Sequence, residues 1–164
     1  MRAERRTGPL AALGLLLTLV GCSGSPGFEG YHQTGRLQIE ASGAPAWRVM
    51  PGDRRVLVIF RSAGSSHADA DTEELVVELT PAELAAGRAD LGAAGRAVRY
   101  QQGKRTLTYA SRAVRGVVEV KQSGARLVGE VELTADAPTV DVGGLGRVER
   151  RFRFDLEPMS APTQ

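Results

Sequence analysis

The chain has few of the residues from which small proteins assemble chemistry. One cysteine, Cys22, in 164 residues excludes an internal disulfide framework and any zinc site built on paired cysteines. Two histidines, His32 and His67, leave little from which to build a histidine-based triad. The serine-elbow, S-x-x-K, H-E-x-x-H, phosphate-loop and dinucleotide motifs are all missing. No catalytic residue, cofactor site or metal site is therefore assigned. Aromatic residues make up only 5% of the chain, against 20 glycines, a composition suited to short strands and turns. No apolar stretch approaches the roughly 20 residues a helix needs to cross a hydrocarbon core.

What is present begins with the first 21 residues. Arg2, Arg5 and Arg6 face a single Glu4 and precede Leu10–Val20, an uncharged run with the length and flank of a secretory signal peptide. The polar Cys22-Ser-Gly-Ser-Pro-Gly that follows gives no amphipathic face, so a buried core helix is a poor alternative. Leu19-Val20-Gly21-Cys22 resembles the lipobox of bacterial lipoproteins. That resemblance covers the N-terminal 22 residues and implies cleavage before Cys22 and lipidation of its sulfur. It implies a membrane partner through the lipid anchor. Ser23, which is not the aspartate of inner-membrane retention, points to the outer membrane, with the outer face of the cytoplasmic membrane as the alternative. One acyl chain binds a bilayer only marginally, and two or three together hold it firmly.

Removing residues 1–21 takes away three arginines and one glutamate, so the remaining chain carries 18 basic and 18 acidic residues. The sequence pI near 9.0 is thus no argument for nucleic acid, which is not expected as a partner. Residues 22–35, rich in glycine, read as a flexible tether, and 158–164 as a disordered tail. Tyr31 and His32 then make loose contacts only.

Residues 36–157 alternate with period two between turn signals, the pattern of an all-β domain. Strands are expected over 36–42, 54–62, 74–80, 96–101, 105–110, 114–122, 126–134, 139–142 and 148–156. About nine strands and one short helix make a single antiparallel β-sandwich, or alternatively a partly closed barrel. The 54–62 strand is apolar on both faces and reads as central. The helix is expected at Thr80-Pro81-Ala82-Glu83, with a capping box, proline in the first turn and Gly87 as terminator. The 114–122 and 126–134 strands form a hairpin in one of two registers. A two-residue turn at Gly124-Ala125 opposes Glu119 to Glu130, and a four-residue loop opposes Arg115 to Glu132. Charge pairing favours the second.

Two clusters invite functional readings. His67, Asp69, Asp71, Glu73 and Glu74 crowd oxygen and nitrogen ligands, but the sixth and twelfth positions of a calcium loop counted from Asp69 hold Glu74 and Thr80 instead of glycine and glutamate. A hydrophilic connection is the simpler reading. The strand acids Glu78, Glu119, Glu130 and Glu132 fall on the polar parity and read as a solvated face. Residues 88–126 hold nine basic side chains against Asp90 and Glu119. If their strands lie side by side, Arg99, Lys104, Arg105, Arg112 and Arg115, with Tyr100 interleaved, form a binding face for lipid headgroups, lipopolysaccharide phosphates or peptidoglycan carboxylates, with an envelope protein as a further candidate partner. The competing reading pairs these arginines with acidic strands next door. Trp47 reads as a core or rim residue.

The expected function is a lipid-anchored envelope protein, a non-catalytic binding or structural module similar in layout to small β-rich bacterial lipoproteins. A carrier with an apolar cavity and an enzyme with an unrecognised site are the alternatives.

Overall fold

A computed structural model describes residues 28–39, 47–61, 72–102, 107–109, 113–136 and 147–159. The signal peptide, Cys22, the 139–142 strand and residues 160–164 lie outside the described residues. Nine strands and one helix follow in the order β1 (Glu29–Ile39), β2 (Trp47–Arg61), β3 (Glu73–Leu79), α1 (Pro81–Ala86), β4 (Arg88–Asp90), β5 (Val98–Gln102), β6 (Leu107–Tyr109), β7 (Val114–Ser123), β8 (Arg126–Ala135) and β9 (Val148–Pro158). They form one sheet in the order β4-β7-β8-β9-β1-β2-β3-β5-β6. All the neighbouring strands are antiparallel except β9 and β1, which meet in parallel over Tyr31–Glu157 and His32–Pro158 only.

That short parallel seam is where the sheet turns over on itself. One core cluster draws Leu57, Ile59, Leu75, Val77 and Tyr100 from the β1-β2-β3-β5 layer and Val118, Val131, Phe152 and Leu156 from the β7-β8-β9 layer. The fold is therefore all-β and sandwich-like. Val56–Ile59 of β2 are buried on both faces, because β2 lies between β1 and β3 and both of its surfaces are covered.

The second covering comes from β1 and β2 themselves. Their register shifts between Thr34 and Arg36, and beyond that irregularity the arm of Arg36–Ile39 and Trp47–Met50 lies over the outer surface of β2, β3 and β5. Leu37, Ile39, Trp47 and Val49 pack there with Val56, Val58 and Val76. The Leu37 amide donates to Glu78 Oε2 at 2.7 Å, and Trp47 Nε1 donates to Glu74 Oε1 at 3.2 Å. Glu78 is thus not on a solvated face: it is 6% exposed, held by Leu37 and by Arg54.

The expected tether is shorter than its glycines suggested. Glu29–Thr34 pair with Arg55–Phe60 as a regular antiparallel ladder, so residues 29–35 belong to the domain. Gly30 is in this ladder because a side chain will not fit: a Cβ there would stand 2.1 Å from the Val58 carbonyl oxygen and 2.7 Å from Leu156 Cδ2. The helix matches its sequence signals, with a reciprocal Thr80–Glu83 capping box and Gly87 ending it in the left-handed conformation. It joins β3 of one layer to β4 of the other and packs Leu84 against the shared core.

The β7–β8 hairpin takes the register that charge pairing disfavoured. Ser123 pairs with Arg126, leaving Gly124-Ala125 as a two-residue turn and setting Glu119 opposite Glu130. Gly124 supplies the positive φ (63°) that mirror-image hairpin turns need at their first central position. The two glutamates are tolerated because β4 and β9 flank them with Arg88 and Arg153. Among the described residues the edge strands β4 and β6 are three residues each.

Leu57→Ala removes a fully buried side chain from the shared core and should cost about 2–5 kcal/mol in denaturant unfolding. Met50→Ala, at a side chain 40% exposed, should stay within about 0.5 kcal/mol.

Candidate functional site

Of the six described basic residues of the 88–126 segment, Arg88, Arg115, Lys121 and Arg126 share the outer face of β4, β7 and β8, interleaved with acids, whereas Arg96 and Arg99 do not. Arg99 and Tyr100 sit in β5 between β3 and β6 and are 6% and 1% exposed. Tyr100 points into the shared core, and Arg99 points under the β1–β2 arm, where Glu74 lies 3.5 Å away. Burial pulls the Arg99 guanidinium below its usual pKa, with Glu74 opposing. Neither residue belongs to an outward binding face. Arg96 donates to Glu83 and, at 2.6 Å, to the Glu78 carbonyl. Arg88 pairs with Glu119 at 2.7 Å across β4 and β7. Arg115 and Lys121 are exposed on the outer face of β7. Lys104, Arg105 and Arg112 lie outside the described residues.

The outer surface of β4-β7-β8-β9 is a mixed-charge grid. One row across the strands runs Arg88, Glu119, Glu130, Arg153, and the next runs Asp90, Val117, Glu132, Arg151. Outward basic residues are Arg88, Arg115, Lys121, Arg126, Arg151 and Arg153, six in all. The acids are Asp90, Glu119, Glu130, Glu132, Glu149, Asp155 and Glu157, seven in all. A shallow groove of about 690 Å³ crosses this grid between Arg88, Glu119, Glu130 and Arg153. Hydrogen bonds from Arg151 hold the Glu130 carboxyl below its usual pKa. Exposed pairs of this kind are individually weak and screened by salt. With no dominant sign, the grid offers little long-range attraction to a polyanion.

No family model, curated protein or solved structure matches the chain. The site must be read from its own geometry.

A second polar cluster lies inside the mouth between the layers. Glu73 is 3% exposed and accepts from Arg150 Nε at 2.7 Å, with Arg61 Nη2 at 3.5 Å. The Arg61 guanidinium stands 5.5 Å over the Phe28 ring, which stacks on Phe152 with centroids 4.1 Å apart. Burial lowers the Arg150 pKa, but Glu73 and the neighbouring Tyr100 hydroxyl outweigh it and leave it raised. Two guanidinium groups share one buried carboxylate, so these three groups together carry one net positive charge. Arg61 and Glu73 are cross-strand partners of consecutive β2 and β3, but Arg150 comes from β9 of the other layer, so sequence reasoning missed the cluster.

Adjacent Glu73 and Glu74 cannot act as a carboxylate pair, since strand alternation sends them to opposite faces. His67, Asp69 and Asp71 of the same run lie outside the described residues, and among the described residues no three ligands converge on a cation position. Glu73, Glu74, Glu78 and Glu83 are each committed to an arginine. Trp47 is a half-buried rim residue of the arm.

His32 was expected in the tether and is instead buried in β1, 4% exposed. Its Nε2 stands 3.0 Å from the Ala125 carbonyl, tying the seam to the β7–β8 turn. Desolvation lowers its pKa; the Ala125 carbonyl opposes this and Arg55 adds to it. The unfolded chain therefore takes up this proton first as pH falls. The stabilisation is complete above the ordinary histidine pKa of 6.5 and is lost as pH falls through the folded value. His32→Gln, which keeps a donor but does not titrate, should lack this part of the pH dependence in unfolding measurements taken from neutral to mildly acid pH.

Proposed function

We propose that the chain is a lipid-anchored cell-envelope protein whose β domain serves as a non-catalytic binding or structural module. The observation that carries this reading is Leu19-Val20-Gly21-Cys22 at the end of a positively flanked apolar run, six residues before the domain begins at Phe28. Cys22 is the only cysteine, so a thioether there leaves no thiol elsewhere in the chain. Ser23 favours the outer membrane, and the cytoplasmic membrane's outer face is the second choice. Among the described residues no helix is long and apolar enough to cross a bilayer, so attachment rests on the lipid.

The module reading is supported by how the polar side chains are used. Glu73, Glu74, Glu78 and Glu83 hold arm, helix and layers together through arginines. The space between the layers is filled by Leu57, Ile59, Leu75, Phe152 and Leu156, which does not favour an apolar-ligand carrier. Binding of anionic polymers through one continuous basic face draws no support from Arg99 or Tyr100, both of which are buried.

Membrane fractionation of Cys22→Ala tests the anchor. The parent protein should sediment with membranes and resist high-salt extraction, and its N-terminal peptide should carry acyl mass. The variant should be recovered in the soluble fraction. A parent protein that is soluble, with a free Cys22 thiol, overturns the proposal.

A further inference from the structure

Alternation along β1 turns Gly30 and His32 toward the space between the layers, and Glu29 and Tyr31 away from it. An imidazole enclosed there is held neutral, with one N–H to donate and one lone pair to receive. The donor is used: Nε2 stands 3.0 Å from the Ala125 carbonyl at the tip of the β7–β8 hairpin, so the proton belongs on Nε2 and Nδ1 is the acceptor. Nδ1 is buried, and among the described residues nothing donates to it.

The backbone of the same residue carries the seam. His32 is paired with Pro158, and its carbonyl accepts from the Met159 amide at 2.8 Å. The ring is therefore wedged against one hairpin while its own main chain holds the end of β9.

A second proton on this ring has no partner while the seam is closed. Nδ1–H would be a buried donor without an acceptor, on a cation without a counter-ion. From β2, Arg55 stands two residues before Leu57, the cross-strand partner of His32, and brings a like charge. From β9, Asp155 and Glu157 are exposed on the outer surface, and both are taken by Arg126 of β8. From β7, Lys121 is exposed on that same surface. An unpaired charge is too costly to keep buried, so water must reach the protonated ring. The seam is the weakest barrier in its way, with two ladder pairs against ten in β7–β8 and nine in β8–β9.

We propose that His32 is a proton-operated latch on the β1–β9 seam: a proton taken up at Nδ1 releases Glu157–Met159 from β1 while the two layers stay folded. The layers remain packed through Leu57, Val118, Val131 and Phe152, which the seam does not hold. The latch belongs to the β domain alone and does not depend on the anchor at Cys22.

Hydrogen exchange of the full chain in detergent micelles, read residue by residue from neutral to mildly acid pH, provides the test. After correction for the intrinsic pH dependence of exchange, protection of the Met159 amide should fall by up to about tenfold for each pH unit below 6.5, because opening takes up one proton. Val118 and Val131, within the β7–β8 ladder, should keep their protection. In His32→Gln, which still donates to the Ala125 carbonyl but does not titrate, protection at Met159 should be flat. Flat protection at Met159 in the parent protein overturns the latch. An equal loss at Val118 and Val131 means that the domain unfolds as a whole, and it overturns local release. The parent's pH dependence persisting in His32→Gln assigns it to Asp155 or Glu157 and overturns His32 as the sensor. Circular dichroism checks the fold of that variant. If it does not fold, the His32 ring resonance of the parent decides: the ring should titrate below 6.5, and titration at or above that value overturns the proposal.

Discussion

The two-residue parallel seam between β1 and β9 is the constraint on which the architecture depends. Without it there are two separate sheets, each with an apolar face and a bare edge. With it, one nine-stranded sheet doubles over and its faces meet. The seam is secured by local contacts: the Met159 amide donates to the His32 carbonyl at 2.8 Å, His32 reaches the Ala125 carbonyl, and Leu156 packs where Gly30 has no side chain. Parallel pairing over so few residues is weak alone. Here apolar burial on both sides of the joint supplies the stability, and the seam determines which surfaces face one another.

Much of this fold was legible in the sequence, for a simple reason. Alternation with period two is a local property, so the strands over 54–62, 74–80, 114–122, 126–134 and 148–156 could be read directly. The capping box at Thr80 and the terminator at Gly87 are equally local. What escaped was set by neighbours distant along the chain. The glycines of residues 28–35 suggested coil, yet Gly30 is there because Leu156 needs its space. The three residues of β4 are too few to show alternation.

Charge was the least legible property. Counting by segment made 88–126 a basic block, but a sheet arranges strands by pairing. Arg96 and Arg99 meet Glu83 and Glu74, and Arg126 meets Asp155 and Glu157. The same lesson holds for Glu119 opposite Glu130: a pairwise rule counts a repulsion, whereas Arg88 and Arg153 on the flanking strands surround both. The Arg61–Glu73–Arg150 cluster was missed for a related reason: β2 and β3 pair Arg61 with Glu73 directly, but only the doubled sheet brings Arg150 of β9 to them.

The brevity of β4 and β6 bears on how the molecule behaves in company. A long bare rim would offer unpaired amides and carbonyls as a template for the next copy, and a sheet of nine strands would become the seed of a ribbon. Here β4 is three residues long, bracketed by Arg88 and Asp90, and among the described residues β6 likewise spans three. Crowded side by side, such molecules can touch through their charged flanks and part again, instead of knitting backbone to backbone.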